Sequence, residues 1–284
     1  MALGFVALVW GSTFIVVKQA LTEISAVYFL AIRFGLASVC MLVLFLPAFR
    51  RAGATLVWRG LRGGVIAGLF LWFGYILQTF GLKFTSAGNS GFLTGLYIVL
   101  VPIISAAVFR RRPQIVELLG AGFATAGMVL LALPSWSQGL PMNRGDLLTI
   151  GCAIAFAFHL LVLGYFSQRE SFEAVALGQI VCATCLSAAS LVLEPPKAIW
   201  SGGVVFAVVL TAVFATAVAF GLQTWAQQYT NATRTALIFT LEPVFALATA
   251  VYAGGEKLTA ERALGGGLIL VGILVVELKP ASTA

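Results

Sequence analysis

The stretch AIWSGGVVFAVVLTAVFATAVAFGLQTWAQQYTNAT, Ala198 to Thr233, runs for 36 residues without an Asp, Glu, Lys or Arg. Such a surface is suited to hydrocarbon, not to water. A bilayer core about 30 Å thick is crossed by roughly 20 residues of α-helix rising about 1.5 Å each. Phe84 to Phe109 and Leu118 to Asn143 are equally free of charge, the last across a Pro- and Gly-containing break. None of these runs alternates apolar and polar residues, which excludes the strands of a membrane barrel. Over all 284 residues, 61% are hydrophobic and 10% charged, with a mean hydropathy of +1.04. A soluble domain carries about 25% charged residues. The chain therefore reads as an all-α membrane protein.

Charge, Pro and Gly punctuate it into ten expected transmembrane helices: 2–20, 26–47, 60–82, 86–109, 114–133, 145–166, 173–193, 202–226, 232–253 and 262–279. Arg50-Arg51-Ala52-Gly53 closes the second and Arg110-Arg111-Arg112-Pro113 the fourth. Glu194-Pro195-Pro196-Lys197 closes the seventh and Gly254-Gly255-Glu256-Lys257 the ninth. No basic region precedes the first apolar run, so it is read as a helix and not as a signal peptide. With the N-terminus inside, ten Lys and Arg fall on the cytoplasmic side and six outside; in the first half the count is seven against two. That bias predicts both termini in the cytoplasm. The net charge of +7 sits in short clusters between apolar blocks, which suits membrane loops better than a nucleic-acid partner.

The chain repeats itself at an offset of 145. Leu77-Gln78-Thr79-Phe80 reads against Leu222-Gln223-Thr224-Trp225, and the register holds without a gap to Leu133. Phe84-Thr85 matches Tyr229-Thr230, Leu119-Gly120 matches Leu264-Gly265, and Gly127 matches Gly272. The units are then 1–133, a connector at 134–144, and 145–284. Five helices per unit is an odd number, so the second copy is inverted in the membrane. Inverted five-helix repeats are an architecture of secondary transporters, with the substrate site near the midplane between the copies. Gly60, Gly64 and Gly68, with Gly91 and Gly95, recur at the four-residue spacing that lets helices pack closely.

The sequence resembles the EamA family of the drug/metabolite transporter superfamily. The residues that carry the resemblance are Trp10-Gly11-Ser12-Thr13-Phe14, Arg33-Phe34, Phe84-Thr85-Ser86-Ala87, Leu241-Glu242-Pro243-Val244 and the glycine-rich tenth span. It is most similar to the branch of bacterial exporters of aromatic and other amino acids. The resemblance implies a non-ATP exporter of small metabolites in the bacterial inner membrane, working by alternating access. Its expected partners are an amino-acid substrate and the lipid bilayer; no cofactor is implied, and a monomer is compatible with it. Where the family often has Trp in the sixth helix, this chain has Phe156, with His159 one turn on. A broad drug or nucleotide-sugar carrier is the alternative. An intramembrane enzyme or a channel would need clustered catalytic groups or a polar pore helix, and neither is evident.

Polar groups deep in a bilayer are costly and usually face a cavity or another helix. On that ground Trp10, Tyr75, Gln78, Tyr97 and His159 are the expected substrate cavity. Tyr75 and Gln78 lie three apart, with Trp72 three earlier, so the three are expected on one face. Tyr97 occupies the repeat position of Glu242. Each has a plainer alternative in helix packing or a helix–helix hydrogen bond; for Gln223, the mirror of Gln78, that bond is the first expectation. Arg33 either recognises an anion, pins helices together or snorkels outward. Cys182 and Cys185 have metal spacing without a second pair, so no metal site is expected. Glu242 and Pro243 are the expected conformational or coupling pair. Proline leaves the carbonyl near Phe239 free, and a buried carboxylate is expected to stay protonated or to bond a facing helix. Glu242 also keeps proton coupling open.

Overall fold

The computed structural model describes residues 1–85, 87–109, 114–136, 142–192, 194–254 and 258–278. Every extended element among them is a helix, and the only β pairing is one isolated bridge between Ile24 and Ala198. Seven helical runs are long and apolar enough to cross a membrane. The surface confirms the solvent: Val39, Leu42, Val43, Leu44, Phe206 and Leu274 are exposed, while Arg33, Gln78, His159, Gln179, Gln223 and Glu242 are buried. A protein in water shows the opposite bias.

The helices are α1 (Ala2–Ala20), α2 (Ala26–Arg51), α3 (Ala54–Leu82), α4 (Ala87–Thr94), α5 (Tyr97–Phe109), α6 (Ile115–Trp136), α7 (Arg144–Ser167) and α8 (Phe172–Ala189). They continue as α9 (Gly202–Ala212), α10 (Ala219–Ala226), α11 (Ala232–Ile238), α12 (Leu241–Gly254) and α13 (Ala260–Glu277). A π-helical turn, Val213–Val218, joins α9 to α10. Several ends differ from the expected ones. α2 runs through Pro47 to Arg51, and α3 starts at Ala54 and not at residue 60. α6 continues to Trp136, into the expected connector. The breaks at 110–113 and 255–257 lie outside the described residues.

The largest correction concerns the fourth and ninth spans, each expected as one helix. Both are broken, at Gly95-Leu96 and at Phe239-Thr240. Around the first break the bonds tighten to three-residue spacing: Leu96 N donates to Leu93 O at 3.2 Å and Ile98 N to Gly95 O at 3.0 Å. Around the second, Thr240 N donates to Leu237 O at 3.0 Å and Glu242 N to Phe239 O at 2.9 Å. Short 3₁₀ turns inside a helix often mark a hinge. The break precedes Glu242, so Pro243 sits in the first turn of α12, where a missing N–H is tolerated. The Phe239 carbonyl expected to be free is taken by Glu242 N–H.

Glycine sets the close contacts. On α3, a Cβ at Gly64 would lie 2.4 Å from Val175 O of α8, and one at Gly68 would lie 2.6 Å from Cys182 Cβ. Between α6 and α13 the contact is reciprocal. A Cβ at Gly120 would meet Gly272 O at 2.8 Å, and one at Gly127 would meet Gly265 O at 2.4 Å. Backbones this close gain packing that the hydrophobic effect cannot supply in lipid.

A candidate substrate cavity

The spacing of apolar and polar residues on α3 sets one wall. Leu71, Tyr75, Gln78, Thr79 and Leu82 follow the helical repeat and line one cavity. Trp72 does not join them. At about 100° per residue, Trp72 and Gln78 fall on opposite flanks of Tyr75, which places Trp72 at the margin of the face that the cavity uses. Trp72 is partly buried and packs against the apolar core.

All five expected cavity residues, Trp10, Tyr75, Gln78, Tyr97 and His159, line this space, and so do Arg33, Gln223 and Glu242. The cavity is narrow, with a volume of about 70 Å³. It reaches Val17 and Leu82, near the ends of α1 and α3. Gly11 lets α1 approach its far wall: a Cβ there would stand 2.4 Å from Glu242 O.

Its lining is an aromatic box. Trp10 packs on Phe220 and Phe239 at ring-centroid distances of 5.2 and 5.0 Å. Tyr75 meets Phe34 and Phe156 edge-on at 5.2 and 5.4 Å. Phe220 and Phe239 were not among the expected site residues, yet the sequence offset reaches them. Carried along the chain, 145 pairs Phe14 with His159, Tyr75 with Phe220, Gln78 with Gln223, Thr94 with Phe239 and Tyr97 with Glu242. All ten of these residues line the cavity.

Polar partners are fixed by a few bonds. His159 Nε2 lies 2.8 Å from Gln179 Oε1, and Gln179 Nε2 donates to Thr224 Oγ1 at 3.0 Å. That second bond orients the amide, so its carbonyl accepts from His159 Nε2–H and Nδ1 is left as an acceptor. Gln179 carried no motif of its own. Gln78 Nε2 donates to Thr94 Oγ1 at 3.0 Å. Gln223, expected to make a helix–helix bond, instead has a buried Oε1 with no partner among the described residues. Glu242 makes no side-chain hydrogen bond among the described residues, so of its two expectations, a protonated carboxyl or a bond to a facing helix, the second is not met there.

Arg33 does not snorkel: it is 4% exposed. Its Nε donates to Thr216 Oγ1 at 2.8 Å, and Nη2 donates to Tyr75 Oη at 3.1 Å and Ala215 O at 3.3 Å. Its guanidinium carbon stands 4.7 Å from the Tyr75 ring centroid. Ala215 O also accepts from Trp10 Nε1 at 2.8 Å. The π-helical turn makes this carbonyl available, because its bonds close over five residues and disturb the regular ladder. Arg33 is thus pinned, and by neutral groups alone.

Comparison with known proteins agrees with this architecture. The description "EamA-like transporter family" matches residues 1–133 and 143–278. An uncharacterized transporter of Archaeoglobus fulgidus is 35% identical over 98% of this chain and 85% of its own length. A Salmonella typhimurium protein called "Probable amino-acid metabolite efflux pump" is 25% identical over 96% of this chain and 93% of its own. A crystal structure of another protein shares the fold with a TM-score of 0.79 at 21% identity, covering 97% of this chain and 95% of that one.

Proposed function

Since the chain belongs to the EamA-like transporter family, we propose that it exports amino acids, aromatic ones included, by alternating access around this cavity. The observation that carries the reading is one aromatic-lined cavity built from both halves of the chain, Trp10, Tyr75 and Tyr97 with His159, Phe220 and Glu242. Aromatic faces supply area for apolar side chains, and a few polar groups fix orientation. The printed name of the Salmonella relative supports the substrate class.

The proposed topology is ten crossings in two inverted repeats, 1–133 and 145–284, around a connector at 134–144. Both termini are cytoplasmic, in a bacterial inner membrane. Beyond the seven long apolar runs, α6, the α11–α12 pair and α13 complete the ten. Support comes from the family match in two similar stretches, the paired helix breaks, and the reciprocal contacts of Gly120 with Gly272 and Gly127 with Gly265. A twofold relation makes residue i of one copy meet j of the other and j meet i. Cysteines at Ala54 and Ser201 are expected to label from inside and outside, respectively; labelling of Ala54 from outside in intact cells contradicts the topology.

In this reading Trp10, Tyr75, Gln78, Tyr97 and His159 hold substrate, and Glu242 with Pro243 is the conformational or coupling pair beside the α11–α12 break. Purified protein in liposomes is expected to give saturable uptake of a labelled aromatic amino acid without ATP. Tyr75→Ala and His159→Ala are expected to change rate or selectivity while the protein stays folded. Wild-type rates in both variants across the amino-acid panel would place substrate elsewhere.

A further inference from the structure

Among the cavity's polar groups with unpartnered atoms, Arg33 and Gln223 are complementary. Arg33 spends its Nε and Nη2 hydrogens on Thr216, Tyr75 and Ala215, which leaves Nη1 without a protein acceptor among the described residues. No carboxylate among the described residues pairs with it; the ion pairs there are Arg59–Glu170 and Lys83–Glu194. A buried cation without a counter-ion is expensive, and cation–π contact with Tyr75 offsets only part of that cost. Gln223, 1% exposed, presents the converse: an Oε1 acceptor with no donor. Buried groups left unsatisfied in this way call for a ligand.

We propose that Arg33 Nη1 binds the carboxylate of a zwitterionic substrate and Gln223 Oε1 accepts from its ammonium group, so that the cavity recognises the α-amino-acid head. This rests on the amino-acid reading above and names the residues that enforce it. Charge decides against a phosphorylated substrate. Arg33 is the one Lys or Arg among the described lining residues and Glu242 the one acid. A dianion would exceed the site's one cation, whereas a zwitterion adds no net charge. With Nε and Nη2 engaged, the Nη1 hydrogens remain for one oxyanion.

The test uses the full chain in lipid nanodiscs and four probes: phenylalanine, its methyl ester, 3-phenylpropionate and phenethylamine. The wild type is expected to bind phenylalanine about tenfold or more tighter than each of the others. Arg33→Gln is expected to erase the preference over the ester and keep the preference over phenylpropionate. Gln223→Leu is expected to weaken the preference over phenylpropionate and keep that over the ester. Arg33→Met, which also removes the cation, replaces Arg33→Gln should that variant not fold. An unchanged acid-to-ester ratio in the Arg33 variant overturns the proposal, as does an equal loss for all four probes. A wild type that does not distinguish acid from ester overturns it without any variant. If the wild type transports amino acids and these ratios fail, only this inference falls. If it neither binds nor transports any amino acid, the functional reading falls with it.

Discussion

Two walls of the cavity, α3 and the run from α9 through α10, reach the same chemistry by different packing. α3 is continuous and glycine-faced; its buried residues begin Gly60, Gly63, Gly64, Ala67 and Gly68. The buried residues of α9 are Val204, Ala207, Val208, Thr211 and Ala212, the same pattern at an offset of 144. From Thr216, within the π-helical turn, the offset becomes 145: Leu71, Gly74, Tyr75, Gln78 and Thr79 stand against Thr216, Ala219, Phe220, Gln223 and Thr224. A π-turn absorbs one extra residue, and one residue rotates a helix face by about 100°. The second wall thus presents a different surface to its neighbour without moving its cavity face. The cavity face is the more constrained of the two. The same turn supplies Ala215 O, which Trp10 and Arg33 share.

Removing the extra residue breaks this comparison most severely. Deletion of Val213 is expected to restore a regular helix, swing either α9 or the cavity face by one residue, and lower transport at least about tenfold while helical circular dichroism persists. Transport near the wild-type rate would make the π-turn incidental. A second difference is glycine against valine. Gly64→Val is expected to destabilise the protein by about 2–3 kcal/mol, because a Cβ there would meet the Val175 carbonyl at 2.4 Å. Val208→Ala at the matching position of α9 is expected to cost about 1 kcal/mol, through lost packing alone. Thermal melts in detergent rank the two, and a reversed order would refute the glycine contact as the tighter one. Third come the paired glutamines. Gln78→Leu loses the bond to Thr94 and is expected to cost about 1 kcal/mol of stability, whereas Gln223→Leu, whose Oε1 has no partner, is expected to leave the melt unchanged. The smallest effect is expected at exposed Val205, where Val205→Leu is expected to stay within about 0.5 kcal/mol.

What the sequence made legible follows the same division. The membrane class, the glycine contacts of α3 and the offset came from composition and spacing. So did Trp10, Tyr75, Gln78, Tyr97 and His159, because a polar or amphipathic side chain at mid-span depth has few other places to go. The breaks at Gly95-Leu96 and Phe239-Thr240 were not legible, since a two-residue shift to 3₁₀ bonding leaves the apolar run intact. The π-turn was hidden for a similar reason: Val213–Val218 is as apolar as its flanks. Pro243 pointed toward the second break but misplaced it, because a proline does least harm just after a helix restarts. Trp72 was included with Tyr75 and Gln78 because three-residue spacing was applied twice, which carries the face to its margin. Gln179 was missed because only the fold brings it to His159.

The central claim is that the cavity carries amino acids. The most direct measurement is uptake of a labelled aromatic amino acid into liposomes holding the purified full chain, with excess unlabelled amino acids as competitors. Saturable uptake that needs no ATP, is blocked by the competitors and shifts in selectivity with Tyr75→Ala is the expected result. No uptake above empty liposomes for any amino acid, by protein that is folded and correctly inserted, would contradict it.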